Sequence, residues 1–363
     1  MKRILCILSS LDAGGAETFV MKLSRVLNEQ GIQIDFIVSR ENGCYTQEVL
    51  DRGGRIFYVP PRTEQFVQSF LDVLRIVKEN RYQYMIKLGD NPIQGLDLLA
   101  AMLGGAKVRA FRSCNALTGL SSKARLVNAV MRPVLNAVAN VKIAPSMLAA
   151  EFTFGPACAH KEVHILHNGV DLSVYRYDEA DRQRVRAEFG LGDRLLVGHV
   201  GRFHDQKNHR KLLEVFRAIR HRRPDAMLML VGAGEREGAI RDWVKELDLE
   251  TSVIFTGVRF DVPCLLSAMD VFVFPSLHEG MPNTVIEAQA TGLPCVIADT
   301  ITREANITGL VGYLPLEAEQ DVWAETALRA IAEARQDTRE AFVAQGYDIQ
   351  SVAETFVKLL FGA

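Results

Sequence analysis

Short apolar runs alternate with helical patterns through the first half of the chain. Arg3–Leu8, Gln33–Val38, Arg55–Val59, Tyr84–Leu88, Val108–Arg112, Val141–Ala144 and His164–Leu166 have the length and apolar character of buried strands. Between the first two, Phe19, Val20, Leu23, Val26 and Leu27 share one face of a helix that starts near Ala16. Gly31 stands where that helix should stop. Strand and helix in alternation build a parallel sheet covered on both faces.

The pattern lapses around Asn168–Asp178, where HNGVDLSVYRYD is polar and turn-rich, and this stretch reads as a hinge. Alternation then restarts with strands at Leu195–Val200, Met227–Val231, Val253–Thr256, Val271–Phe274 and Cys295–Ile297. Helices begin near Asn208, Arg236, Val262 and Asn283, and Ile349–Leu360 forms a terminal helix. The expectation is an α/β protein of two doubly wound, Rossmann-like domains, residues 1–168 and 169–346, facing across a cleft. Open sheets of this kind bind ligands beyond the carboxyl ends of their strands, so the cleft is the expected site.

Composition supports two domains: 363 residues, 48% apolar and 24% charged, supply material for two cores. A net charge of −2 leaves no basic excess for nucleic acid. Cys6, Cys44, Cys114, Cys158, Cys264 and Cys295 are scattered singly, which points away from a zinc site or disulfide framework and towards a reducing compartment. The start MKRILCILSS has an apolar stretch of about five residues, shorter than the roughly 7–15 of a secretion signal, and reads as a first buried strand. No window approaches the ~20 apolar residues of a membrane span. A cytoplasmic protein is expected, with attachment at the inner face of the plasma membrane as the variant.

Three glycine-rich or acidic loops could carry chemistry. In LDAGGAE, Gly14 and Gly15 let the backbone approach a ligand at a helix amino end, though a tight strand-to-helix turn explains them equally. No G-x-G-x-x-G follows a strand in this half, which disfavours a nicotinamide oxidoreductase. In VGHVGRFHDQKNH, Arg202 and Lys207 follow a strand end bracketed by Gly198 and Gly201. They could clamp a pyrophosphate, Arg as a planar fork and Lys as a point charge, or simply be solvated. Gly232, Gly234 and Glu235 form a second glycine-rich turn after the next strand.

The third loop lies in FPSLHEGMPNTVIEAQATGLPCV, with Glu279 in the turn and Glu287 one turn into a helix that stops at Gly292. Gly280 and Pro282 shape a loop whose amides, with those of Asn283 and Thr284, make an anion site. Glu287 could accept hydrogen bonds from ribose hydroxyls, or merely complement the helix dipole. Two lesser features complete the inventory. His160, His164 and His167 are spaced like metal ligands but flank a strand, and no metal site is expected. The helix Ser121–Ala139 carries Lys123, Arg125 and Arg132 beside Leu126, Val127, Val130, Met131, Val134, Leu135 and Val138. It reads as a sheet-covering helix; the alternative is a membrane-surface helix serving a lipid-linked acceptor.

Together, GGAE, the hinge NGVD (Asn168–Asp171), GR followed by Lys207, VGAGE and EGMPNTVIE resemble the family 4 retaining glycosyltransferases of GT-B architecture, and within them the bacterial exopolysaccharide and capsule enzymes. The resemblance spans the chain and is densest in its second half. It implies a sugar moved from a nucleotide diphosphate sugar, a UDP-sugar by preference, to a glycan or lipid-linked glycan. It assigns Arg202 and Lys207 to the diphosphate, and Glu279 to the transferred sugar beside the amides of Gly280, Met281 and Pro282. It gives the amides of Asn283 and Thr284 to the phosphate and Glu287 to the ribose. The backbone near Arg259 borders the base, Gly232 the donor, and Gly14 and Gly15 the phosphate and acceptor. It also implies that helix 347–363 returns to the first domain and that neither metal nor further cofactor is needed. Arg112 and Cys114 stand where relatives often carry histidine, which leaves the general base unassigned. Rival readings are a nucleotide-sugar epimerase on the same scaffold and a non-catalytic binding subunit.

Overall fold

The computed structural model describes residues 2–12, 14–114, 121–279, 281–332 and 335–362. The chain divides into two compact units, Met1–Gly169 with Gly346–Ala363, and Val170–Gln345.

Unit 1 is a parallel sheet of seven strands: β1 (Lys2–Ile7), β2 (Ile32–Val38), β3 (Ile56–Tyr58), β4 (Tyr84–Gly89), β5 (Val108–Ser113), β6 (Val141–Ala144) and β7 (Val163–Ile165), in the order β3-β2-β1-β4-β5-β6-β7. The order reverses at β1 and β4, the arrangement that opens a ligand crevice at the carboxyl ends. Alternation along β1 sends Ile4 and Cys6 to one face, where they meet Phe19 and Leu23 of the helix Gly15–Glu29. Leu5 and Ile7 point to the other face, against Val73 and Val77 of the helix Phe66–Asn80. The terminal helix Ile349–Phe361 packs on the first of these faces through Ile349, Val352, Ala353, Phe356 and Leu360. The ring of Phe361 meets that of Tyr84 at 4.4 Å.

Unit 2 repeats the plan with six parallel strands, β8 (Leu196–Val200), β9 (Met227–Val231), β10 (Val253–Gly257), β11 (Val271–Phe274), β12 (Cys295–Ala298) and β13 (Val311–Leu314), ordered β10-β9-β8-β11-β12-β13. Strand β13 is absent from the sequence reading. Its four residues, VGYL, include a glycine and are mostly half-buried at a sheet edge, so they lack the continuous apolar run that marked the others. The remaining strands fall within one or two residues of expectation.

Helix Ser122–Val138 covers its sheet through Leu135 and Val138, both buried. Leu126 and Val130 are left exposed. Among the described residues, no helix is long and apolar enough to cross a membrane.

One polar group is built into the first core. Asp35 of β2 is fully buried. Its carboxylate accepts from Arg3 at 2.6 Å, the Tyr82 hydroxyl at 2.6 Å and the Arg55 backbone amide at 2.8 Å. These donors tie β1, the start of β3 and the end of the helix Phe66–Asn80 to one carboxylate. Removing one partner of a buried charge leaves the others unsatisfied. Asp35→Ala is therefore expected to cost about 3–5 kcal/mol in urea unfolding. Tyr82→Phe should cost about 1–3 kcal/mol. A loss below 1 kcal/mol for Asp35→Ala, within about the range of a surface substitution, would remove this role.

Candidate active site

The site of unit 2 is assembled where β8, β9 and β11 end. After β8 the chain passes Gly201 and Arg202 into a short turn, Asp205–Lys207, closed by Asn208 in the left-handed region (φ 52°). The next helix, His209–Arg222, can then start in a new direction. Lys207 is thereby turned inward. Its Nζ lies 2.7 Å from Glu279 Oε1 and 4.7 Å from the centre of the Phe274 ring at the end of β11. The two charged side chains are only 17% and 10% exposed.

Their loops are fastened twice more, by the Leu277 amide to the Gln206 carbonyl and by the Gln206 side-chain amide to the His278 carbonyl, both at 2.8 Å. Glu279 also forms a parallel bridge with Ile301. The sequence signalled neither link, because Gln206 acts through its own backbone and a partner's carbonyl.

The two cations of the expected clamp differ in setting. Arg202 is 71% exposed and paired with Glu235 Oε2 at 3.1 Å, so each of the two cations is engaged by a different carboxylate. Gly232 serves close packing: a Cβ there would fall 2.1 Å from the Gly201 carbonyl oxygen, at a φ of +136°. Only glycine lets these two strand-end loops touch. Arg259 is held between Glu188 and Asp261, each at 2.7 Å, which fixes the turn after β10.

Beyond Glu279 the helix Asn283–Ala290 begins, with Pro282 at its N-cap. Proline has no side-chain oxygen to cap the first amides, which carry the positive end of the helix dipole. Met281, Asn283, Thr284 and Glu287 lie half-buried along this end. Gly280 is outside the described residues. The helix is anchored from behind by Gln289, which donates to Ala305 at 2.7 Å and accepts from the Ile307 amide at 3.0 Å. A glutamine amid VIEAQATG was the available cue for that anchor.

In unit 1, Gly14 occupies the N-cap of the first helix, and a Cβ on it would fall 2.3 Å from Glu17 Oε2. The Glu17 carboxyl thus folds back over the glycine pair, and burial raises its pKa. Arg112 is buried, its guanidinium 3.7 Å from the centre of the Phe19 ring, and it donates to the Asn168 side chain of the NGVD segment. Cys114 has its pKa pushed up to about 11 by burial, so at neutral pH it is a thiol and a poor nucleophile. The three histidines do not converge. His160 pairs with Glu151 at 2.9 Å, a partner distant enough in sequence to be missed, while His167 stacks on Tyr347 and His164 is exposed. Among the described residues, no group of three His, Cys, Asp or Glu side chains could hold a metal ion.

Comparison with known proteins identifies the family. The model of Glycosyltransferase Family 4 matches residues 13–174, and that of Glycosyl transferases group 1 matches residues 194–333. The chain is 38% identical over 359 residues to EpsF of Bacillus subtilis (strain 168), which bears a glycosyltransferase assignment; the match covers 96% of this chain and 94% of that one. It is 26% identical over 289 residues to the UDP-Gal:alpha-D-GlcNAc-diphosphoundecaprenol alpha-1,3-galactosyltransferase of Escherichia coli, covering 72% and 70%. HepE of Anabaena, solved in complex with UDP, superposes with a TM-score of 0.81 at 17% identity over 100% of both chains. The chain belongs to the family 4 glycosyltransferases and has the GT-B fold; it is a glycosyltransferase.

Behind Lys207 the floor of the site is aromatic. His199 of β8 stacks on Phe274 at 5.3 Å, donates from Nδ1 to the Val273 carbonyl at 3.0 Å, and meets His209 edge-on at 4.9 Å. Burial, reinforced by the Lys207 charge, keeps both imidazoles neutral: His199 falls well below the ordinary range and His209 drops to about 4. The unfolded chain takes up these protons below about pH 6.5, while folded His209 waits until about pH 4. Stability from this pair is therefore fully present above pH ~6.5 and lost progressively as pH falls towards ~4. The melting temperature is expected to drop between about pH 7 and pH 5, and less steeply for His209→Gln. Parallel profiles for the two proteins would contradict the assignment.

Proposed function

We propose that this glycosyltransferase draws a hexose or N-acetylhexosamine from a nucleotide diphosphate sugar, a UDP-sugar in the first instance. It transfers that sugar with retained anomeric configuration to a glycan or lipid-linked glycan in exopolysaccharide or capsule synthesis. The observation that carries the reading is the largely enclosed Lys207–Glu279 pair beside the proline-started helix at Asn283. A cation fixed in a nearly dry place, next to a helix amino end, is suited to a leaving diphosphate. Supporting the choice of donor, HepE has been solved with UDP-glucose, and the Escherichia coli relative is named for UDP-Gal and a diphosphoundecaprenol-linked acceptor.

On this reading Lys207 and the amides of Asn283 and Thr284 meet the diphosphate, and Arg202 joins them by exchanging Glu235 for phosphate. Glu279, with Met281, Pro282 and Gly280 beside it, meets the transferred sugar. Glu287 holds the ribose, and the turn at Arg259 borders the base. As the bond from the anomeric carbon to the diphosphate breaks, negative charge grows on the phosphate that Lys207 faces. The acceptor oxygen bonds the anomeric carbon from the same side, and its proton passes to the departing phosphate oxygen. No protein base is needed, in keeping with the neutral thiol at Cys114.

Lys207→Met is expected to lower kcat about 10²–10³-fold, the scale of losing one preorganised donor to developing charge. Arg202→Ala should lower it by about tenfold or more, the scale of one charge-assisted contact. EDTA should leave the wild-type rate unchanged, because side chains and amides meet the diphosphate charge. Near-normal turnover of Lys207→Met would refute the clamp, and an inverted product by NMR would refute same-face transfer.

The exposed Leu126 and Val130, with Lys123 and Arg125 on the same helix, fit a lipid surface that presents a lipid-linked acceptor. Flotation should carry the protein up with liposomes containing anionic lipid, and Leu126→Ser/Val130→Ser should reduce that fraction. A protein that stays at the bottom of the gradient with every lipid mixture would dismiss the contact.

A further inference from the structure

A cavity lies in unit 1, under the carboxyl ends of β1, β2 and β4, and neither Gly14 nor Gly15 lines it. Its volume is ≈ 380 Å³, within the roughly 300–1,000 Å³ of small-molecule sites. Lys87 of β4 lines it and is only 6% exposed, as is Asp97. Lys87 Nζ stands 3.3 Å from Asp97 Oδ2. Arg62 donates to the other oxygen of the same carboxylate and, at 3.0 Å, to the Ile93 carbonyl.

One carboxylate thus serves two cations. At the exposed rim Arg40 and Glu64 offset each other, so the enclosed wall keeps one positive charge in excess. Burial lowers Lys87 to about 8 and Arg62 to about 10, a measure of how poorly solvated both are. The next carboxylate, Asp90, does not line the cavity; burial raises its pKa and the Lys87 charge opposes that rise. A buried surplus cation calls for an anion. The same wall contains an enclosed acceptor: the Asn91 side-chain oxygen is buried and, among the described residues, has no hydrogen-bond partner. It calls for a donor, which a bare phosphate does not offer and a sugar hydroxyl does.

We propose that this cavity binds a glycosyl phosphate, the phosphate at Lys87 and Arg62 and a sugar hydroxyl at Asn91, and that this group is part of the acceptor. The inference rests on the glycosyl-transfer reading above, which leaves the acceptor's chemistry open. Two sources share this chemistry, a soluble sugar phosphate and a sugar linked through diphosphate to a lipid. Phe66 lies on the same helical stripe as Ser69 and Val73, which line the cavity, and with Val67 it is exposed. A lipid leaving the phosphate would find apolar surface there.

Calorimetry on the full chain, saturated with UDP to occupy the donor site, tests this with N-acetylglucosamine 1-phosphate and N-acetylglucosamine as probes. The phosphate is expected to bind wild type, at least tenfold more weakly to Lys87→Met, and several-fold more weakly to Asn91→Ala; the free sugar should bind none of them detectably. Melting curves check each variant's fold, and Arg62→Gln replaces Lys87→Met if the latter does not fold. Equal affinity across wild type and variants, or no binding to wild type, overturns the proposal. Farnesyl-diphosphate-linked N-acetylglucosamine separates the sources. Tighter binding that Phe66→Ser removes identifies the lipid-linked form, and affinity equal to that of the sugar phosphate identifies the soluble one. Titration of UDP alone keeps the two readings apart. UDP binding without Lys87-dependent phosphate binding defeats this inference only, and the converse defeats the donor reading only.

Discussion

Lys207 and Glu279 reach each other across 72 residues of sequence, and the site of unit 2 depends on that contact. Bringing an ammonium and a carboxylate out of water costs more than their attraction returns unless other groups hold the geometry. Those groups are present. Gln206 fastens the two loops on either side of the pair, Glu279 bridges to Ile301, and the Phe274 ring lies beneath the ammonium. An ion pair made at such cost is weak evidence for stability and better evidence for a positioned charge. A cation that is already desolvated and fixed has little reorganisation left to undergo when charge develops next to it.

The same economy explains the histidines. With Lys207 drawn inward, a protonated imidazole close behind it would add a second buried positive charge. His199 and His209 are neutral because the site excludes water and because Lys207 is there. His199 stacks on Phe272 and Phe274, and His209 meets His199 and Phe203 edge-on, which makes both part of the floor. The positioned charge and the core packing are in this way one arrangement, and the strand ends carry both.

Much of this was legible in the sequence, and the limits have physical causes. Twelve of the strands announce themselves as short runs rich in apolar residues, continuous in strands buried on both faces such as β9 and β11, while β13, half-buried and interrupted by Gly312, lacks such a run. The strand–turn–helix around Glu279 was readable from its glycine, proline and polar residues. Pairing was not: nothing in the order of residues says that Arg202 meets Glu235, that Lys207 meets Glu279, or that His160 finds Glu151. Those contacts are set by loop directions, such as the left-handed Asn208 that turns the chain after Lys207. Asp35 escaped notice because a carboxylate inside an apolar run looks like noise until its three donors are seen.

The two units treat charge differently, and the difference follows from local accounting. At the site of unit 2 a largely enclosed lysine faces one carboxylate, and further positive potential comes from backbone amides at a helix end. In unit 1 two buried cations share Asp97, and the polar atom beside them, Asn91 Oδ1, is an acceptor. A helix amino end and a paired lysine suit an anion that must arrive and depart each turnover, because neither is left as a bare charge when the anion leaves. A wall with an unbalanced cation and an orphan acceptor suits a ligand with both charge and hydroxyls, held for orientation more than for chemistry. On the proposed reading, donor activation and acceptor placement demand those two behaviours, one at each sheet.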